Sequence, residues 1–187
     1  NVDNTSMTWV NYSLNGGTNV SVPQSVRLNI TIEVVGTGSN ANNINVNIAQ
    51  SFTPQETMNL RNLEVRLQKL NNGLTNPKIQ IRTDAGDTPS GVILAEGTID
   101  NSAVTYPYSW VGVELNKTLT LNSGSKYWIY LTPQGDATDY YEWEVNTSNP
   151  YSGGEYDRNG ATQSGQDLLF RVVDAYRYRT SITAAEG

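Results

Sequence analysis

The 187-residue chain contains no cysteine and no histidine, and only two phenylalanines. Lacking the first two, it hosts no thiol nucleophile, no imidazole general base and no zinc site of the usual ligands. Charge is sparse as well. Asp, Glu, Lys and Arg make up 16% of the chain, and 18 acids against 12 bases leave a net charge of −6. That balance removes the broad basic surface that phosphate backbones require, so no nucleic-acid partner is expected. No run approaches the roughly 18 apolar residues of a membrane span, and none is expected. Nothing resembles a targeting peptide, and the sequence opens at Asn1, which reads as a processed, mature product. The missing cysteines say little about compartment, because a chain this long buries a core without disulfides.

Polarity is carried instead by 22 Asn, 20 Thr and 15 Ser beside 16 Gly. This mixture disfavours helix and suits strands joined by turns. Alternation dominates the periodicity. Val26, Leu28, Ile30, Ile32 and Val34 alternate with Ser25, Arg27, Asn29, Thr31 and Glu33, which predicts a half-buried strand over 25–35. Residues 43–48 repeat the pattern with Ile44, Val46 and Ile48. Further strands are predicted at 8–14, 60–70, 78–83, 92–99, 110–115, 126–132, 140–145 and 167–173. Turn signals separate them at Gly16-Gly17, 36–43, 71–73, 84–91, 122–124 and 149–154. Leu60, Leu63, Leu67 and Leu70 have helical spacing, but Leu63, Val65 and Leu67 also fit one strand face. With strands on both sides and no N-cap signal, the strand is preferred. The expected fold is all-β: a jelly roll or β-sandwich of eight or more mainly antiparallel strands.

Four landmarks then occur in order. They are Ala49-Gln50-Ser51-Phe52-Thr53; the strand and loop from Ile81 through Asp84, Gly86 and Pro89 to Gly91; Tyr127-Trp128 in a strand after a Gly turn; and Asn149-Pro150-Tyr151-Ser152-Gly153-Gly154 before a closing strand, 167–172. Together they resemble the small jelly-roll domains of secreted bacterial and archaeal surface proteins, some labelled choice-of-anchor domains. The resemblance spans about two thirds of the chain. It implies a fold and an extracellular or cell-surface address, and it implies no reaction. The chain divides accordingly into an N-terminal strand extension (1–48), a jelly-roll sandwich (49–173) and a C-terminal tail (174–187).

The extension departs from that pattern. Its amphipathic strands need a partner for their apolar face, either in their own sheet or in a neighbour's. In this it resembles the extensions of pilus-like filament subunits, which complete the sheet of the next subunit. Val10, Tyr12 and Leu14 are the alternate side chains such a donor strand would bury. Sequons for N-linked glycans occur at Asn4, Asn11, Asn19, Asn29, Asn116 and Asn146. Alternation places Asn11, Asn29, Asn116 and Asn146 toward solvent, as a glycan demands.

Among acids, Glu142 and Glu144 share one strand face. A glycosidase needs two carboxyls flanking one bond in a cleft, whereas paired Glu on a strand are usually solvated surface, and no enzyme is expected. Asp84, Asp87, Asp136, Asp139 and Asp157 fall in predicted loops and are candidate ligands of a structural calcium ion, although Asp-Gly turns explain the same residues. No cofactor is required. Tyr106, Tyr108 and Trp110, with Tyr140 to Trp143, are candidate sugar-stacking platforms; the alternative places Trp110, Trp128 and Trp143 in the core. Tyr176-Arg177-Tyr178-Arg179 alternates ring and cation like an edge strand or contact strip. The leading expectation is a secreted structural subunit whose partners are copies of itself, assembled into an extracellular filament by donor-strand exchange. The alternative is a monomeric, non-catalytic carbohydrate-binding or adhesion module that recognises glycans.

Overall fold

The computed structural model describes residues 9–12, 20–23, 31–34, 36, 39–42, 46–71, 75–133, 135–136, 138–148 and 151–174. The strands in chain order are β1 (Trp9–Tyr12), β2 (Val20–Pro23), β3 (Thr31–Glu33), β4 (Ser39–Asn42), β5 (Ile48–Phe52), β6 (Met58–Leu70), β7 (Lys78–Asp84), β8 (Pro89–Thr98), β9 (Ser109–Leu121), β10 (Tyr127–Leu131), β11 (Tyr140–Asn146), β12 (Tyr156–Arg158), β13 (Ala161–Gln163), β14 (Asp167–Leu168) and β15 (Phe170–Asp174). The chain is an all-β sandwich. One sheet runs β13-β12-β5-β10-β7-β8, and the other holds seven strands around β6 and β11. The pairings in both are antiparallel.

Alternation explains which side chains meet between the sheets. On β10, Tyr127, Ile129 and Leu131 face the core, and on β11 Tyr141, Trp143 and Val145 do. The two phenylalanines close the centre from opposite sheets: Phe52 on β5 and Phe170 on β15 lie with ring centroids 5.9 Å apart. Full burial of each large apolar side chain contributes about 1.5–3 kcal/mol. One polar clamp crosses the interior. Gln50 Nε2 donates to Asp167 Oδ1 (2.9 Å), and Leu168 N donates to Gln50 Oε1 (2.7 Å). Tyr151 N supplies the other Asp167 oxygen at 3.0 Å.

The helical spacing of Leu60 and Leu63 has a strand explanation. The β6–β9 register slips between Leu60 and Asn62, where β9 jumps from Leu119 to Glu114. That bulge shifts the phase of β6, so Met58 and Leu60 face inward before it and Leu63, Val65 and Leu67 after it. A second irregularity lies at Leu169, between β14 and β15. Its N–H donates to Glu144 O and its carbonyl accepts from Arg66 N, so the closing strand leaves β11 and joins β6 there.

The extension is divided in the structure. β3 pairs with β15, and β4 pairs with the outer edge of β11, so residues 31–42 contribute strands to the larger sheet. Gly36 sits between them at φ +139°, and an ideal Cβ there would lie 2.0 Å from Asn146 Nδ2. The predicted strand over 25–35 is represented by β3; residues 24–30 and 35 lie outside the described residues, as do Gly16 and Gly17. Of the predicted strand over 43–48, Val46 and Asn47 are not strand, and β5 begins at Ile48. β1 and β2 form a two-stranded sheet of their own, Val10 opposite Val22 and Tyr12 opposite Val20.

Candidate functional site

Trp110, Gly112 and Glu114 of β9, Glu64, Arg66 and Gln68 of β6, and Glu142 and Glu144 of β11 alternate with core residues and so share the outer face of the larger sheet. The face is folded onto itself. Arg66 pairs with Glu144, Gln68 donates to Glu142, and Tyr108 OH donates to Glu142 Oε2 at 3.3 Å. The two glutamates are each 6% exposed, which corrects the expectation of a solvated pair. Long neighbouring side chains, not the strand face itself, exclude the water. Burial, followed by the charge of Glu142, holds the Tyr108 hydroxyl well above its usual range.

Trp110 is capped. The Arg171 guanidinium stacks 3.9 Å from its ring centroid, and Arg66 lies 5.9 Å away. Arg171 in turn pairs with Glu33 and with Glu64. The stacking surface foreseen for a sugar is therefore largely taken by guanidinium. Trp143 and Tyr141 are core residues. Trp128 is fully buried on the opposite face of its strand from that core, beside Ala49 and Tyr130. Its Nε1 donates to Asp84 Oδ1 at 2.7 Å, and Arg82 covers Tyr130 at 3.5 Å. Tyr106 alone of these rings stands clear, at 73% exposure.

The aspartates stay apart. Asp84 accepts from Trp128 and from Asp87 N, while Asp87 pairs with Lys126 at 2.5 Å. Asp136 Oδ1 accepts from Thr138 N, Thr138 Oγ1 and Asp139 N, and the Asp139 and Thr138 N–H groups hold its carboxyl below the usual range. The first pair lies at the Asp84 end of β7. The second follows the far end of β10, so the two do not meet. Among the described residues no three acidic side chains converge. Asp157 lies on β12 and not in a loop, opposite Ala49 and Thr162. It is 1% exposed; Oδ1 accepts from Gly160 N at 3.0 Å, and Oδ2 has no partner. Burial raises its pKa. Asp157 reads as a loop residue from sequence because the strands on either side of the tight Asn159-Gly160 turn, at φ 55° and 82°, are only three residues long.

The sequons separate by position. Asn116 is exposed in the β9 bulge, its Oδ1 accepting from Glu96 N at 3.2 Å. Asn146 is 8% exposed, which corrects the solvent-facing expectation. The backbone of residue 36 crosses over its amide, and its Oδ1 accepts from Ser148 N at 2.8 Å. Asn11 lies on β1 opposite Ser21. Asn4, Asn19, Asn29, Leu14 and the segment 176–179 lie outside the described residues. No family model matches the chain, and the search of curated proteins gives no match.

Proposed function

We propose that the chain is a non-catalytic structural subunit of an extracellular assembly, linked through its N-terminal β-hairpin to an adjoining copy. One observation carries the reading: β1 pairs with β2, and among the described residues neither is hydrogen-bonded into either sheet of the sandwich. Among the described residues the core draws on side chains from Val34 to Val172. A two-stranded hairpin alone is marginal in water, and stacking or pairing with another sheet is what stabilises it. The donor strand foreseen at residues 8–14 thereby becomes a hairpin, with β2 occupying one edge of β1 and the other edge open to β-augmentation. Surface glycans at sites such as Asn116 fit the same address.

The decisive experiment compares the intact chain with a version lacking residues 1–23, by size-exclusion chromatography and negative-stain microscopy. The intact chain forms rods or oligomers, and the truncated one is a folded monomer with an unchanged melting temperature. A monomeric intact chain at high concentration overturns the proposal. A second reading, glycan binding, draws on the exposed ring of Tyr106 and on Tyr108, which bonds Glu142 with Tyr140 nearby. Under that reading truncation leaves glycan binding intact, and Tyr106→Ala abolishes it.

A further inference from the structure

An Asn-Gly pair is a chemically fragile link in a peptide chain. Glycine has no side chain to keep its backbone nitrogen from reaching the Asn side-chain carbonyl. Hydroxide takes the Gly N–H proton, the nitrogen bonds to Asn Cγ, and Nδ2 leaves as ammonia with a proton from water. Water then opens the cyclic imide to aspartate or isoaspartate. The chain has three such pairs, Asn15-Gly16, Asn72-Gly73 and Asn159-Gly160. The first two lie outside the described residues.

The third forms the exposed turn between β12 and β13. Packing does not protect it, since an ideal Cβ on Gly160 would meet nothing within 4 Å. A hydrogen bond holds the reacting atom instead. Gly160 N donates to Asp157 Oδ1 at 3.0 Å, and Asn159 N donates to Asn47 O at 2.9 Å, which ties the turn to the smaller sheet. Asp157 is buried and its Oδ2 has no partner, so the Gly160 N–H is the group its charge acts on most directly.

That arrangement opposes cyclisation in two ways. The nitrogen must leave its acceptor before it can approach Asn159 Cγ, so the resting geometry is not one of attack. The reaction also passes through an amide anion, and a neighbouring carboxylate in a buried site disfavours a second negative charge. We infer that Asp157 shields the Asn159-Gly160 peptide from cyclisation, its carboxylate keeping the proton on Gly160 N. This gives a reason for a buried, half-satisfied charge where a neutral amide would cost the fold less. The shielded link matters to the sheet. Isoaspartate at position 159 would lengthen the main chain inside the turn, where Arg158 pairs with Ala161 and β12 pairs with β5.

The test ages the full-length wild type, Asp157→Asn and Asp157→Ala at mildly alkaline pH, below their melting temperatures. Peptide mapping by mass spectrometry then follows aspartate and isoaspartate at position 159. In the folded wild type Asn159 persists, whereas in the urea-unfolded wild type it converts. Asp157→Asn keeps an acceptor but loses the charge, and it converts Asn159 about tenfold faster, the effect of one unit in the acidity of the N–H. Its melting temperature is no lower, so loosening of the hairpin does not account for the gain. Asp157→Ala loses acceptor and charge and converts faster again. Equal rates in all three folded proteins overturn the inference. A slower Asp157→Asn also overturns it, because the carboxylate would then be acting as a base. Acceleration confined to a variant with a lowered melting temperature overturns it as well, since opening of the fold would explain the loss.

Discussion

Two buried aspartates show how local partners decide whether a carboxylate stabilises the fold. Asp157 leaves one oxygen unpaired, and burial lifts its pKa against the weaker pull of the Gly160 N–H. A carboxyl with a higher pKa folded than unfolded binds its proton more tightly in the native state. Its ionisation therefore destabilises the fold at neutral pH, and the penalty disappears as pH falls below the unfolded value, about 4. Asp157→Asn exchanges an unpaired buried charge for a neutral amide that keeps the Gly160 bond. Urea unfolding should show a gain of about 1 kcal/mol near neutral pH that shrinks on acidification. Asp167 is also raised by burial, but both its oxygens accept, from Gln50 Nε2 and Tyr151 N. Asp167→Asn sets an N–H against an N–H and should lose about 1–3 kcal/mol in the same assay. Equal effects from the two substitutions would refute this distinction.

At the scale of elements, β-bulges and crossovers set what each strand presents. The β9 bulge holds Asn116 in solvent, whereas the passage from β3 to β4 lays Gly36 over the Asn146 amide. A glycan on Nδ2 of Asn146 is incompatible with that crossing. Glycopeptide mass spectrometry of protein secreted by a glycosylating host should therefore find Asn116 occupied and Asn146 bare in the folded fraction. Substantial occupancy of Asn146 in folded protein would show that the crossing does not form. The same bulges explain what was legible beforehand. β6, β7 and β11 were readable because their alternation is strong, and β8 and β10 because they hold apolar runs bounded by turn signals. β2, β4, β12 and β13 were not, since strands of three and four residues are too short to show a period. The leucine spacing on β6 imitates a helix because a single extra residue restores an apolar side chain to the core face.

For the whole molecule, charge separates two modes of assembly. The body carries the net charge of −6, while residues 4–26 carry none. If the hairpin links copies by apolar contact, salt does not weaken the link, and screening of the like-charged bodies favours it. Sedimentation between about 0.05 and 0.5 M NaCl, where the Debye length shortens to a few ångströms, should show polymer constant or increasing. Dissociation by salt would point to ion pairing and away from the hairpin.

Composition and alternation alone determined that this chain folds as strands, that Val34, Ile48, Leu63 and Val65 lie on inward faces, and that chemistry needing thiol or imidazole is closed to it. Those properties follow from side-chain type and the two-residue period, which are local. Tertiary structure decided the rest. Glu142 and Glu144 are sheltered, Trp110 is capped by arginine and Asn146 is covered, because residues distant in the chain converge on them. Alternation assigns a side chain to a face of its sheet; only the packing of other segments decides whether that face meets water.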